Sequence, residues 1–159
     1  MKAAILTESG LMVGEAPRPE PGASDILVRV RAAALNRADI LMADGRAHGK
    51  LGGSGAILGL EWAGEVAETG SKAQEFKEGD RVMCSGAAGY AEYAVTDWGR
   101  VSPLPAADMS FEQAATLPIA LQTMHDALAT NGRLQKGETV LIQGASSGVG
   151  LMGLQIAKY

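Results

Sequence analysis

Residues 137–159 read GETVLIQGASSGVGLMGLQIAKY, and the rest of the chain is organised around this stretch. Thr139-Val140-Leu141-Ile142 is a short apolar run rich in β-branched residues, which predicts a buried strand. Gly144-Ala145-Ser146-Ser147-Gly148-Val149-Gly150 follows, with no side chain larger than valine. Leu151, Leu154, Gln155 and Ala157-Lys158 then have the spacing and composition of a helix. Taken alone, such a turn also suits a plain tight loop. The strand before it and the helix after it favour the opening of a dinucleotide-binding βαβ unit. Small residues let a phosphate approach the backbone, where free N–H groups and the positive end of the helix dipole suit a pyrophosphate. Ser146, Ser147, Gly148 and Val149 are therefore the candidate phosphate-binding residues.

The sequence given ends at Tyr159, inside the helix just begun. One βα unit cannot bury both faces of a parallel strand. The expectation is the N-terminal part of a larger enzyme whose nucleotide-binding domain is incomplete here. The residue that normally reads the adenosine ribose, about 20 positions further on, would lie beyond Tyr159.

Working back from this stretch, 159 residues suffice for one sizeable core plus part of another. Apolar residues make up 47% and charged residues 20%, as in ordinary globular proteins. The net charge of −4 and the lack of any Lys/Arg cluster exclude the electrostatic footprint of a nucleic-acid binder. No apolar run is long enough to span a bilayer, and residues 1–10 lack the pattern of a secretion signal. A cytoplasmic location is expected. A single cysteine, Cys84, excludes an internal disulfide.

Upstream, short strands are expected at 2–6, 11–15, 25–34, 59–69, within 76–85 and at 90–95, separated by glycine turns. Pro17, Pro19 and Pro21 make a stiff connector that cannot join a ladder. In 25–34 the alternation is cleanest: Ile26, Val28, Val30 and Ala32 face one way, Leu27, Arg29 and Arg31 the other. Asn36 is placed to cap a helix over 36–43, and a glycine-dense loop over 44–55 is expected to act as a flap. Ser110-Phe111-Glu112-Gln113 is a capping box, and Pro118 breaks or kinks the helix that it opens. The expected division is 1–120, β-rich, and 121–159, a linking helix with the first βα unit.

Five segments in this order resemble the medium-chain dehydrogenase/reductase superfamily. They are Ala34-Leu35-Asn36-Arg37-Ala38-Asp39, Gly59-Leu60-Glu61-Trp62-Ala63-Gly64-Glu65-Val66, Gly79-Asp80-Arg81-Val82, Gly89-Tyr90-Ala91-Glu92-Tyr93 and the turn 144–150. The resemblance implies an α/β chain overall, with a GroES-like β-barrel catalytic domain followed by the start of a Rossmann domain. In zinc-dependent relatives a cysteine stands at the place of Asn36 and a histidine at the place of Leu60. An amide and an isobutyl group cannot replace a thiolate and an imidazole as zinc ligands, and one cysteine cannot build a four-cysteine structural site. The chain is thus similar to the zinc-independent quinone oxidoreductase branch, and no metal ligand is assigned.

That branch implies hydride transfer from NADPH, or NADH, to a small-molecule quinone or conjugated enone, with Asn36 and Thr123 near the nicotinamide. It also implies a homodimer for the whole protein. The turn supports the branch, since Ala145 and Ser147 replace the first two glycines of G-x-G-x-x-G and Gly150 keeps the third. Relatives often carry a flap tyrosine where this chain has Arg46-Ala47-His48. No residue is assigned a catalytic role, Asp39 and Glu61 are expected to fix local hydrogen bonds, and the 159 residues alone are expected to be inactive. A zinc-type alcohol dehydrogenase relative and a catalytically silent GroES-like interaction or dimer module are the alternatives.

Overall fold

The structure is a computed structural model describing residues 1–44 and 52–159. Arg46, Ala47 and His48, and with them most of the expected flap, lie outside the described residues. The described chain falls into two compact units, Met1–Thr116 and Leu117–Tyr159.

In the first unit, β1 (Lys2–Thr7) and β2 (Gly10–Glu15) form an antiparallel hairpin. The main sheet contains β3 (Asp25–Ala33), β4 (Glu61–Thr69), β5 (Arg81–Ser85), β6 (Tyr93–Asp97) and β7 (Val101–Pro103). Its order is β6-β3-β4-β5-β7, with every neighbouring pair antiparallel. Register shifts at Leu27/Val28 and Val30/Ala32 interrupt the β3–β4 ladder, as bulges that bend a strand do. The core beneath the sheet gathers Ile26, Val28, Trp62, Val66, Val82 and Cys84, all buried.

Gly64 explains the close β3–β4 packing. A β-carbon there would lie 2.1 Å from the Arg29 carbonyl oxygen, so a side chain would push the two strands apart. The outer strand β1 is held differently, by bridges Ala3↔Ala91 and Ile5↔Ile57 on the side away from β2. Residues 56–58 and 90–91 thereby both line that one edge of β1.

Two short helices complete this unit, α1 (Arg37–Ala43) and α2 (Phe111–Ala115). The expected capping box is present at α2, where the Ser110 hydroxyl accepts from the Gln113 N–H at 3.2 Å and the Gln113 side chain accepts from Ser110 N–H at 3.1 Å. The Arg81 guanidinium pins the segment before α2. It donates to the Ala107 carbonyl and, at 2.6 Å, to that of Met109, and it stacks on Phe111 at 4.6 Å. The Gly79-Asp80-Arg81-Val82 segment therefore has a structural reading.

The second unit holds α3 (Pro118–His125), a π-helical turn (Asp126–Asn131) and α4 (Gly148–Lys158). Pro118 opens a new helix at its N1 position, where the missing N–H is harmless. The buried strand expected at 139–142 is not found. These residues join no ladder, Leu141 is 88% exposed and Val140 38%. A β-branched run becomes a strand by pairing, and this unit contains no strand to pair with. Among the described residues no helix is long and apolar enough to cross a membrane.

Candidate functional site

The turn of residues 144–150 closes on itself through one side chain. Ser147 sits at the N-cap of α4 with extended backbone, and its hydroxyl accepts from Gly150 N–H at 3.0 Å while donating to the Gly144 carbonyl at 2.8 Å. Gly144 adopts φ +68°, and Gly150 packs against it so closely that a β-carbon would lie 2.2 Å from the Gly144 oxygen. Ser147, expected to contact phosphate, thus has its hydroxyl engaged in shaping the turn.

The next two residues are different. The backbone N–H groups of Gly148 and Val149 fall among the first donors of the helix, which have no partner within it. No other partner for them occurs among the described residues. A β-carbon on Gly148 would meet nothing within 4 Å. Free donors beneath open space, beside the exposed Ser146, fit a pyrophosphate. Thr123 and His125 both lie exposed on α3. Met124, half-buried on α3, packs against α4, where a β-carbon on Gly153 would collide with its methyl group.

In the first unit, Asn36 stands at the N-cap position of α1 and belongs to a polar cluster. Its Nδ2 donates to Glu61 Oε1 at 2.9 Å, and its backbone N–H donates to Asp39 Oδ2 at 2.8 Å. Asp39 and Glu61 are only 5% and 4% exposed. The expectation that these two carboxylates fix local hydrogen bonds is met. Tyr90 also belongs to this cluster, although the sequence reading gave it no role. Its phenol donates to the same Asp39 Oδ2 at 2.8 Å, with the Ala34 carbonyl at 3.1 Å as a second acceptor. Burial, the hydrogen bond to Asp39 and the charges of Asp39 and Glu61 push the phenol pKa well up. Among the described residues no group of three His, Cys, Asp or Glu side chains is arranged to hold a metal.

Beside Leu60 lies a cavity of about 190 Å³, lined by apolar groups including Met42, Ile57, Leu58, Leu60, Ala87 and Ala88. It is smaller than the roughly 300–1,000 Å³ of sites for drug-sized ligands, so it suits a single ring or a short chain. Cys84 stands elsewhere, fully buried in the core, where desolvation pushes its thiol pKa well up. It is a core residue of β5.

Residues 22–106 match the alcohol dehydrogenase GroES-like domain family. The chain is 36% identical over 142 residues to the quinone oxidoreductase of Mus musculus, covering 88% of this chain and 42% of that protein. It is 37% identical over 145 residues to the highly reducing polyketide synthase cla2 of Cladosporium cladosporioides, covering 91% of this chain and 6% of that one.

Among solved structures, an alcohol dehydrogenase superfamily protein from Novosphingobium aromaticivorans superposes with a TM-score of 0.91 at 32% identity, over 99% of this chain and 50% of that one. A mycobacterial protein complexed with NADPH gives 0.83 at 29% identity, again over 99% and 50%. The chain therefore spans about half the length of these solved structures. Its strand order, its matched domain and these relatives together establish that the chain belongs to the medium-chain dehydrogenase/reductase superfamily, a family of NAD(P)-dependent oxidoreductases.

Proposed function

We propose that the whole protein is a zinc-independent, NAD(P)H-dependent oxidoreductase acting on a small quinone or conjugated enone. The observation that carries this reading is the state of Asn36 and Leu60, which stand where the zinc-dependent enzymes that this chain resembles have ligands: the Asn36 amide is paired with Glu61 and Leu60 is buried. The amide nitrogen is held as a donor to a carboxylate, and the isobutyl group faces an apolar cavity. Neither group is a zinc ligand. NAD(P)H supplies the hydride when bound.

The chain's own residues bind and orient. In the second unit Gly148 and Val149 offer N–H groups to the pyrophosphate; in the first unit Asn36 is the residue offered to the nicotinamide, and the cavity beside Leu60 suits a small acceptor ring. Quinones and conjugated enones suit such a site because hydride addition gives a delocalised anion, so positioning contributes most of the rate. NADPH is the first choice of cofactor, supported by the mycobacterial relative solved with it.

Mixing the whole protein with NADPH and a small quinone or enone, with a chelator present, is expected to bleach the nicotinamide absorbance. Absence of oxidation across several such acceptors would favour the silent-module alternative, and stoichiometric zinc by elemental analysis would overturn the zinc-independent reading. Asn36→Ala is expected to raise the NADPH Kd about tenfold, roughly 1.4 kcal/mol, in a fluorescence titration. An unchanged Kd and kcat would remove Asn36 from the site.

A further inference from the structure

We infer that Tyr90 is a positioning residue whose phenol, through Asp39, fixes where the Asn36 amide stands and so sets affinity for the nicotinamide end of the cofactor. The link to affinity rests on the reading of Asn36 proposed above. The positional link rests on geometry alone.

Tyr90 is itself held at both backbone ends. Its N–H donates to the Leu58 carbonyl at 2.8 Å, and its carbonyl accepts from Ala4 N–H at 2.8 Å. From this anchored position the phenol oxygen reaches both flanks of Asn36, the Ala34 carbonyl before it and the Asp39 carboxylate after it. A phenol has one hydrogen, and the shorter contact assigns it to Asp39.

Asp39 Oδ2 then accepts from two donors, the Tyr90 phenol and the Asn36 N–H. Its other oxygen, Oδ1, is buried without a partner among the described residues. The direction of this carboxylate is therefore set through one oxygen, and Tyr90 supplies half of that hold. The raised phenol pKa keeps the donor protonated at neutral and mildly alkaline pH. Phenylalanine would fill the same space, so the inference concerns a single oxygen atom.

Tyr90→Phe provides the test. In the whole protein, labelled with 15N, hydrogen exchange at the Asn36 backbone N–H is expected to accelerate at least fivefold, and the Asn36 side-chain amide signals to move. In the whole protein, Tyr90→Phe should raise the NADPH Kd about threefold to tenfold. In an Asn36→Ala background the same change should cost less than twofold. Unchanged Asn36 amide signals and exchange in Tyr90→Phe would overturn the positional link. An equal cost in both backgrounds would overturn its effect on affinity. If Asn36→Ala alone leaves NADPH binding intact, the functional reading of Asn36 fails, while the amide measurement still decides the positional link. Asp39→Asn, which keeps an acceptor oxygen but removes the charge, gives the same readouts should Tyr90→Phe not fold.

Discussion

Trp62→Ala is expected to destabilise the first unit by about 3–5 kcal/mol and to lower its melting temperature by about 10–20 °C, measured by calorimetry. Trp62 is 0% exposed and is the second residue of β4, opposite Ala33 on β3 and Cys84 on β5. The segment carrying Gly86 and Gly89 lies directly on its ring, since a β-carbon on either would come within 2.7 Å of the indole. Truncation would leave a void under that segment as well as within the sheet. Trp62→Phe should cost far less, under about 1.5 kcal/mol. It keeps most of the ring and removes an indole N–H that is buried without a partner among the described residues; such an unmet donor costs about 1–3 kcal/mol. If the two substitutions proved equally damaging, the indole would be acting through something other than volume.

Gly150→Ala is the second large effect, and it falls on ligand binding. Its methyl group would meet the Gly144 oxygen at 2.2 Å and the Ala145 α-carbon at 2.7 Å. Both are backbone atoms, so the turn must open and the Ser147 cap must break. NADPH affinity of the whole protein should fall at least a hundredfold, about 2.7 kcal/mol, in a calorimetric titration. Gly148→Ala is the informative contrast. Its methyl group enters open space, so it should leave the free protein intact or slightly stabilise α4. It should still weaken NADPH binding if pyrophosphate occupies that space. A variant with undiminished affinity would place the phosphates elsewhere.

Features set by neighbours in sequence were legible from it. Ser110 and Gln113 stand three residues apart, and their reciprocal cap forms as read. The position of Asn36 at the start of α1 is equally local. What its side chain does there is not, because Glu61 lies 25 residues away. The bond from Tyr90 is hidden for the same reason, with Asp39 51 residues distant. Gly59 marks the neighbourhood of Tyr90, since at φ +105° a β-carbon there would lie 2.5 Å from Tyr90 N, a close approach that glycine permits. In β3 the alternation correctly buries Ile26 and Val28 and exposes Arg29 and Arg31. Leu27, read as facing the other way with Arg29 and Arg31, is fully buried as well, because period-2 patterning carries no information on what covers the second face. At 139–142 the β-branched composition was real and the ladder absent, which separates propensity from pairing.

The seating of β1 bears on how the molecule comes to be assembled. Its hairpin with β2 needs only the first fifteen residues, yet its other edge is closed by Ile57 and Ala91. Contacts so far apart in sequence require loop closure before they contribute, which slows folding. On the ribosome, the hairpin has its own residues early and must wait for the segment around residue 91 before its second edge is covered. The Ala4 bond that anchors Tyr90 belongs to that late contact. The hydrogen bonds around Asn36 are thus completed only once the N-terminal strand has docked, which couples the ordering of this site to one of the most sequence-distant contacts in the first unit.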